Sequence, residues 1–162
     1  MEKTVYLSLG SNLGDRARNL QDAIERLGSL GKVEAVSSFY ETEPVEVRHQ
    51  PWFLNCAVML RTDLMPRRFL SAIMQIEQAL GRKRKVPKGP RVIDIDILLF
   101  GSSVISMPSL VVPHAAMHER RFVLQPLAEI APGARHPVLR RTVRELLEAL
   151  PPEPPRVRKA PQ

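Results

Sequence analysis

Residues 89–100 have the sequence Gly-Pro-Arg-Val-Ile-Asp-Ile-Asp-Ile-Leu-Leu-Phe. From Ile93 to Leu99, every second residue is apolar and faces away from Asp94 and Asp96, and this period of two predicts a β-strand with one buried face. Side chains two residues apart lie on the same face, so both carboxylates point to one side, about 6.5–7 Å apart. Like charges so placed repel unless a divalent cation binds them, and carboxylate oxygens are ligands that Mg²⁺ prefers.

The segment before this strand is strongly basic. It carries Arg82, Lys83, Arg84, Lys85, Lys88 and Arg91. Basic side chains beside paired carboxylates indicate a substrate rich in phosphate oxygens. A solvated strand face with a charged loop is the alternative, and it is the better interpretation of Asp-x-Asp alone. The adjoining basic run favours a metal and phosphate site.

Length and charge limit the class of protein. The 162 residues fit one domain, which we place at 1–150, followed by a proline-rich basic tail over 151–162 that we expect to be disordered. The net charge of +7 and the pI near 10.2 indicate an anionic partner. No apolar run is long enough for a membrane span, and the single cysteine, Cys56, fits a reducing compartment. We expect a cytoplasmic monomer with no membrane or nucleic-acid partner.

The order of predicted elements indicates the fold. Strands are predicted over 4–9, 33–40, 52–62 and 93–100, with helices over 15–30 and 66–80 between them. This is an α+β, ferredoxin-like βαββαβ order with an antiparallel sheet and both helices on one face. The opposite face would carry Tyr6, Ser8, Phe53, Asn55, Asp94 and Asp96. Beyond residue 100 we expect a hairpin at 101–105 and two helices, over 120–130 and 142–150.

Common nucleotide-binding motifs are missing from the sequence. Neither Gly-x-x-x-x-Gly-Lys-[Ser/Thr] nor a Gly-x-Gly-x-x-Gly that opens a helix occurs. The turn over residues 10–15 could present backbone amides to a ligand, but an ordinary strand-to-helix turn is the better interpretation. His114 and His118 have metal-ligand spacing without a third ligand nearby. His114 is better placed to contact a phosphate.

Six segments, taken in order, resemble one enzyme family. They are Leu9-Gly10-Ser11-Asn12-Leu13-Gly14-Asp15, Tyr40-Glu41-Thr42-Glu43-Pro44-Val45, Phe53-Leu54-Asn55, Gly81-Arg82, the stretch from Gly89 to Leu98, and Val112-Pro113-His114. They are similar to 6-hydroxymethyl-7,8-dihydropterin pyrophosphokinase of folate biosynthesis. The resemblance implies transfer of the β,γ-pyrophosphoryl group of ATP to the hydroxymethyl oxygen of the pterin, with release of AMP.

The same resemblance implies roles for individual residues. Asp94 and Asp96 would hold two Mg²⁺ ions that bridge the ATP phosphates, and Arg82 and Arg91 would be catalytic with them. The pterin pocket would be formed by Thr42, Glu43, Pro44, Val45, Phe53, Asn55 and Phe122. ATP would be bound by Glu77, Arg82, Arg84, Arg91, Ile97, His114 and Arg120.

Three positions depart from the family pattern. Lys88 stands where many members have tryptophan, in a basic loop that is one residue shorter than in some members. Ala115 stands where an aromatic residue is common after the histidine, and Phe53 where a tyrosine is common. None of these departures affects the two carboxylates expected to bind metal. They therefore concern the affinity for substrates and the closure of the loop rather than the reaction.

Two other functions fit part of the sequence. An RNA-recognition module also combines positive charge with a βαββαβ sheet, but Asp94 and Asp96 would repel a phosphate backbone unless metal is bound. A nucleotidyltransferase also uses paired acids to bind metals, and it would release pyrophosphate instead of AMP. The nucleotide product distinguishes these possibilities.

Overall fold

A computed structural model describes residues 1–44, 50–81, 90–152 and 155–161. The strands are β1 (Lys3–Ser11), β2 (Lys32–Val36), β3 (Tyr40–Thr42), β4 (Phe53–Thr62), β5 (Asp94–Phe100), β6 (Ile105–Met107), β7 (Leu110–Val112) and β8 (Val157–Lys159). The helices are α1 (Arg16–Leu27), α2 (Pro66–Ala79), α3 (Arg121–Ile130) and α4 (Val143–Glu148), with a 3-10 turn at Met117–Glu119. None of the helices in these ranges has the length and apolar character that crossing a bilayer requires.

The main sheet is antiparallel, with the order β5–β1–β4–β3–β8, and β2 pairs with β4 as well. β1 and β4 are paired over their whole length, from Lys3 opposite Thr62 to Ser11 opposite Leu54. β2 and β3 follow one another along the other edge of β4. The chain therefore has an α+β fold whose central strands, β1 and β4, carry long apolar runs.

One face of the sheet is covered by α1 and α2. Asp15 begins α1 by accepting a hydrogen bond from the backbone N–H of Arg18, and Pro66 begins α2 at a position where its missing N–H costs nothing. The inward residues of both helices pack on alternate residues of β1, β4 and β5. These are Leu20, Ala23, Leu27, Phe69, Ile73 and Ile76 from the helices and Val5, Leu7, Leu9, Leu54, Cys56, Val58, Leu60, Ile95 and Ile97 from the strands.

The opposite face is covered only in part. α3 and α4 form a second apolar cluster with the sheet that includes Ala57, Leu98 and Leu99. This cluster lies towards one end of the central strands. The other end, where β5 begins with Asp94, stays open as a cavity.

Most predicted elements are confirmed, but several bounds are wrong. The single strand predicted over 33–40 is two strands. The N–H of Ala57 donates to the side-chain hydroxyl of Ser37 instead of to a backbone carbonyl oxygen, which interrupts the regular pairing with β4 at the point between β2 and β3. The hairpin expected at 101–105 lies at 105–112, as β6 and β7.

The alternation predicted for β5 fails after Ile97. Tyr6 pairs with Leu99 and the next residue, Leu7, pairs with Ile97, so Leu98 is an extra residue in the ladder. Such a bulge reverses the side on which the following residues point. Leu99 therefore joins the cluster under α3, whereas we predicted it on the side of Ile97.

The prediction of a disordered tail is wrong for residues 157–159. These residues form β8, which pairs with β3 in the register Tyr40–Lys159, Glu41–Arg158 and Thr42–Val157. The composition of the tail offers little to bury, but the outer edge of β3 offers unpaired backbone groups. Backbone hydrogen bonds and ion pairs, rather than apolar burial, hold this strand.

Candidate active site

A cavity of about 420 Å³ opens on the uncovered part of the sheet. It is lined by Ser8, Gly10, Thr42, Glu43, Pro44, Gln50, Phe53, Asn55, Arg91, Asp94, Asp96, Glu119, Arg120, Phe122 and Pro155. A concave site of this size with a few convergent polar groups is typical of a small-molecule site.

The floor of the cavity follows from the strand register. Asp94 lies opposite Gly10, and Gly10 lies opposite Asn55, so one row across β5, β1 and β4 joins a carboxylate to an amide. In the next row on the same face, Asp96 lies opposite Ser8. The middle strand thus contributes a glycine and a serine, Gly10 and Ser8, and these small residues leave the space above the strand open.

Gly10 permits a close approach of the Asn55 side chain to β1. A Cβ atom at this position would lie 2.8 Å from Nδ2 of Asn55 and 3.6 Å from Cδ1 of Phe53. The Asn55 side chain therefore occupies the space that any other residue at position 10 would need.

A buried asparagine organises the acidic end of the cavity. The backbone N–H of Arg91 donates to Oδ1 of Asn12 at 2.7 Å, and the N–H of Asn12 donates to the carbonyl oxygen of Arg91 at 3.0 Å. Nδ2 of Asn12 donates to Oε1 of Gln50 at 2.8 Å. The guanidinium group of Arg91 in turn donates a hydrogen bond to the carboxylate of Asp94 and forms an ion pair with it. Asn12 thus positions residues on both sides of the cavity.

Asp96 lies in a mixed electrostatic environment. Its side chain is open to the cavity, but protein atoms surround the carboxylate on the floor, and this loss of solvation is the main effect that raises its pKa. The charge of Asp94 adds to the rise, and the positive charges of His114, Arg120 and Arg91 oppose it. Burial likewise lowers the pKa of His114, with Arg120 adding to that effect and Asp96 opposing it. A cation bound at Asp96 would stabilise its charged form.

The residue types present fit a hard divalent cation. Asp94 and Asp96 supply carboxylate oxygens on one face of one strand. Within the described ranges, no group of three or more His, Cys, Asp or Glu side chains is arranged to hold a metal. A cation here would therefore complete its shell with water and substrate oxygens, as Mg²⁺ does when it binds together with phosphates.

The other end of the cavity combines aromatic rings with buried polar atoms. Phe53 and Phe122 line it, and the guanidinium carbon of Arg120 lies 5.6 Å from the centre of the Phe122 ring. Thr42 and Asn55 are 4% exposed, and in the described structure neither Oγ1 of Thr42 nor Oδ1 of Asn55 has a hydrogen-bond partner. Buried polar atoms without partners are costly, so these two indicate a ligand that supplies the missing hydrogen bonds.

The structure brings together most of the predicted site residues. Thr42, Glu43, Pro44, Phe53, Asn55, Arg91, Asp94, Asp96, Arg120 and Phe122 all line the cavity. His114 is not among the lining residues; its backbone N–H donates to the carbonyl oxygen of Leu98 at 3.0 Å, two positions along β5 from Asp96. Val45, Arg82 and Arg84, like the departure at Lys88, lie outside the described residues.

Two predicted ATP-binding residues lie elsewhere. Ile97 is buried in the core under α1 and α2. Glu77 is also buried, and its Oε2 accepts a hydrogen bond from the N–H of Ile95 at 2.8 Å. Neither residue lines the cavity as described.

Sequence reasoning missed several cavity residues. Gly10, Gln50, Glu119 and Pro155 line the cavity but were not predicted as site residues, and Asn12 anchors it from behind. Gly10 could have been found, because it continues the alternation of Tyr6 and Ser8 on the open face. The others depend on contacts between segments far apart in the chain.

Comparison with known proteins finds relatives that match most of this chain. A family model described as 7,8-dihydro-6-hydroxymethylpterin-pyrophosphokinase (HPPK) matches residues 6–132. The 2-amino-4-hydroxy-6-hydroxymethyldihydropteridine pyrophosphokinase of Bacillus subtilis (strain 168) is 48% identical over 132 residues, which cover 80% of this chain and 79% of that relative.

Longer proteins also match. The folic acid synthesis protein FOL1 of Dictyostelium discoideum is 43% identical over 147 residues, which are 91% of this chain and 22% of that relative. The chain spans about a fifth of the length of such relatives. A crystal structure of Plasmodium falciparum HPPK-DHPS wild type with pteroate matches 91% of this chain and 42% of that chain, with a TM-score of 0.74. At 20% identity, this likeness shows the fold alone.

Proposed function

The chain belongs to the 7,8-dihydro-6-hydroxymethylpterin-pyrophosphokinase family, and from that membership we propose that it transfers pyrophosphate from ATP to 6-hydroxymethyl-7,8-dihydropterin. The products are AMP and the pyrophosphorylated pterin, and the step belongs to tetrahydrofolate biosynthesis. The cavity supports this reaction because one open space contains an aromatic, hydrogen-bonding end and an acidic end flanked by arginines.

The observation that carries the proposal is a pair of buried polar atoms that have no hydrogen-bond partner among the described residues. Oγ1 of Thr42 and Oδ1 of Asn55 belong to residues that line the cavity beside Phe53 and Phe122. A pterin is a flat heterocycle with donors and acceptors along its edge, so it can stack on the rings and donate to these oxygens. A ligand without such donors would leave both atoms unsatisfied.

Asp94 and Asp96 would hold Mg²⁺ at the other end of the cavity. When bound, the metal neutralises phosphate charge and orients the transferring group. That two ions bind is part of the proposal, supported by two carboxylates on one strand face. Arg91, positioned by Asn12 and by Asp94, would cover charge that develops during transfer.

The row Asp94–Gly10–Asn55 supports an arrangement in which the two substrates bind side by side on one face of the sheet. A pterin bonded to Asn55 lies on the same sheet face as both carboxylates, so its hydroxymethyl oxygen can approach the β-phosphorus of ATP. That oxygen forms the new P–O bond and its proton passes to water, while the bond from the β-phosphorus to the oxygen that links it to the α-phosphorus breaks and AMP leaves with that oxygen.

The remaining proposed contacts have unequal support. Arg120 lines the cavity, and His114 is hydrogen-bonded to Leu98 on the strand that carries Asp96, which supports both as ATP contacts. Val45 as a pterin contact, and Arg82 and Arg84 as ATP contacts, rest on the family resemblance alone. Glu77 and Ile97 have less support, because the structure buries their side chains away from the cavity.

The finer description of the fold is also a proposal. The order β5–β1–β4, with β2 beside β4 and α1 and α2 on one face, supports a ferredoxin-like core. A cytoplasmic location is supported by the single buried thiol of Cys56. The monomeric state stays a prediction.

The nucleotide product tests the proposed function. The full chain is incubated with ATP and Mg²⁺, with and without the dihydropterin, and the mixture is separated by chromatography. AMP formed in equal amount with a pyrophosphorylated pterin is expected. Pterin-dependent ADP would indicate transfer of the terminal phosphoryl group instead, and pyrophosphate as the primary product would indicate nucleotidyl transfer. Either result would overturn the proposal.

A further inference from the structure

The C-terminal residues 155–160, here called the strap, lie beside the cavity although they lie beyond the family match. The family model ends at residue 132, so nothing in that match describes the strap. Yet Pro155 lines the cavity together with Glu43 and Pro44. The strap is therefore a feature of this chain that contacts the proposed pterin end.

Backbone hydrogen bonds join the strap to residues 40–44, which comprise β3 and the two residues after it and are here called the wall of the cavity. β8 covers the outer edge of β3, and two further bonds extend the pairing at both ends. The N–H of Glu43 donates to the carbonyl oxygen of Arg156 at 3.0 Å, and the N–H of Ala160 donates to the carbonyl oxygen of Phe39 at 2.8 Å. β3 is only three residues long, and so short a strand gains much of its order from being paired on both sides.

Charges on the strap match charges on the wall. Arg156 pairs with Glu43 at 3.3 Å, and Arg158 pairs with Glu41 at 3.6 Å. Glu43 is a cavity residue, and Glu41 alternates with the cavity residue Thr42 along β3. The acidic wall and the basic strap are thus complementary where they meet.

Both strap arginines also lie over the single tryptophan. The guanidinium carbons of Arg156 and Arg158 lie 5.3 Å and 4.6 Å from the centre of the Trp52 ring. Arg16, at the start of α1, donates to the carbonyl oxygen of Trp52 at 2.8 Å. Trp52 immediately precedes Phe53, the proposed stacking ring, so these contacts hold the backbone from which that ring projects.

We propose that the strap positions the pterin end of the cavity, with Arg156 and Arg158 holding Glu43 and Trp52 in the arrangement that binds the dihydropterin. The inference rests on the proposed function. A wall that is ordered before the substrate arrives loses less entropy on binding, so the strap raises affinity for the pterin. It lies away from Asp94 and Asp96 in the sheet, with β4, β1 and β3 between β8 and β5, so it leaves the transfer step unchanged.

The test compares four chains of 162 residues: wild type, R156A/R158A, R156K and the control R144A. Arg144 is an exposed arginine on α4 that does not line the cavity, so its replacement removes charge without touching the strap. A fifth chain that ends at residue 152 removes the strap entirely. Steady-state kinetics give KM for the dihydropterin, KM for ATP and kcat. Acrylamide quenching of Trp52 fluorescence reports whether the strap covers the ring, because Trp52 is the only tryptophan.

In R156A/R158A we expect KM for the dihydropterin to rise about tenfold, since two arginine–aromatic contacts and two exposed ion pairs are lost. We expect kcat and KM for ATP to stay within about twofold of wild type, and acrylamide quenching to increase. R156K keeps the charge but not the flat guanidinium group, so its KM for the dihydropterin should lie between those of wild type and R156A/R158A. R144A should match wild type.

Increased quenching with an unchanged KM for the dihydropterin would overturn the inference, because the strap would then detach without affecting binding. Unchanged quenching and kinetics would overturn it as well. If the truncated chain fails to fold, the point variants still decide. A wild-type chain that forms no AMP would refute the proposed function and the strap's role with it, whereas normal wild-type turnover with no effect of R156A/R158A refutes the strap inference alone.

Discussion

Gly10→Ala tests the floor of the cavity with one methyl group. The new Cβ would lie 2.8 Å from Nδ2 of Asn55, which is about 0.6 Å inside the 3.4 Å at which ordinary van der Waals contact begins. Gly10 has no positive φ, so alanine fits the backbone of β1. The neighbour that must move is the end of the Asn55 side chain. The substitution therefore displaces the proposed pterin-binding amide and leaves the fold in place.

The expected loss follows from the hydrogen bond that Asn55 would make to the pterin. Leaving a buried polar group unsatisfied costs about 1–3 kcal/mol, which corresponds to roughly 5- to 140-fold in affinity. We expect KM for the dihydropterin to rise by such a factor, with KM for ATP nearly unchanged. The melting temperature should change by less than about 4 °C, because glycine within a strand is itself unfavourable by about 0.5–1 kcal/mol.

Gly133→Ala is the matched control. A Cβ at position 133 would meet no described atom within 4 Å, so this variant should bind the pterin as wild type does. Kinetics with each substrate varied in turn, together with thermal unfolding of both variants, make the measurement. An unchanged KM for the dihydropterin in Gly10→Ala would refute the assignment of Asn55 to the pterin.

Three further predictions concern other parts of the molecule. Asp96→Asn should lower kcat at saturating Mg²⁺ on the order of a hundredfold or more, while the exposed control Asp63→Asn keeps wild-type turnover; near-normal activity of Asp96→Asn would contradict the metal site. Burial opposes ionisation of Glu129, but hydrogen bonds led by that from Tyr40 outweigh it and hold its pKa below the usual range. The ionised Glu129 carboxylate therefore stabilises the folded state above the pKa that it has in the unfolded chain, and this stabilisation is lost as pH falls through its pKa in the folded state. The difference in melting temperature between wild type and Glu129→Gln should shrink below about pH 4. A difference that does not depend on pH would contradict this prediction. Burial raises the pKa of Cys56 to about 12, so a maleimide should label it at neutral pH only in denaturant, and rapid labelling of the native chain would contradict its burial.

Local patterns were enough to predict much of the fold and the acidic part of the site. The direction of a side chain on a strand depends only on its position along that strand. Alternation therefore placed Asp94 and Asp96 on the face opposite to Ile95 and Ile97, as the structure confirms. The same reasoning separated Asn55 from Cys56 on β4. The family motifs then supplied the proposed substrates, which side-chain spacing cannot supply.

Pairing between distant segments decided the rest. The bulge at Leu98 depends on the register of β5 against β1, and nothing in the run Ile97-Leu98-Leu99 marks it. Asn12 gains its role only because the turn that contains it meets Arg91 and Gln50, which follow it by 79 and 38 positions. The side on which α3 packs, and hence where the cavity stays open, also depends on such contacts.

The C-terminal segment shows the difference most clearly. Its composition, rich in proline and arginine, correctly indicates that it buries little, and from that we predicted disorder. Composition does not reveal the outer edge of β3, the acidic side chains on that edge, or the ring of Trp52 nearby. The sequence by itself determined the strands, their buried faces and the paired carboxylates, because these are local properties of the chain. Only the tertiary structure decided which edge the last strand would cover, because strand pairing is a property of two segments that the sequence keeps more than a hundred residues apart.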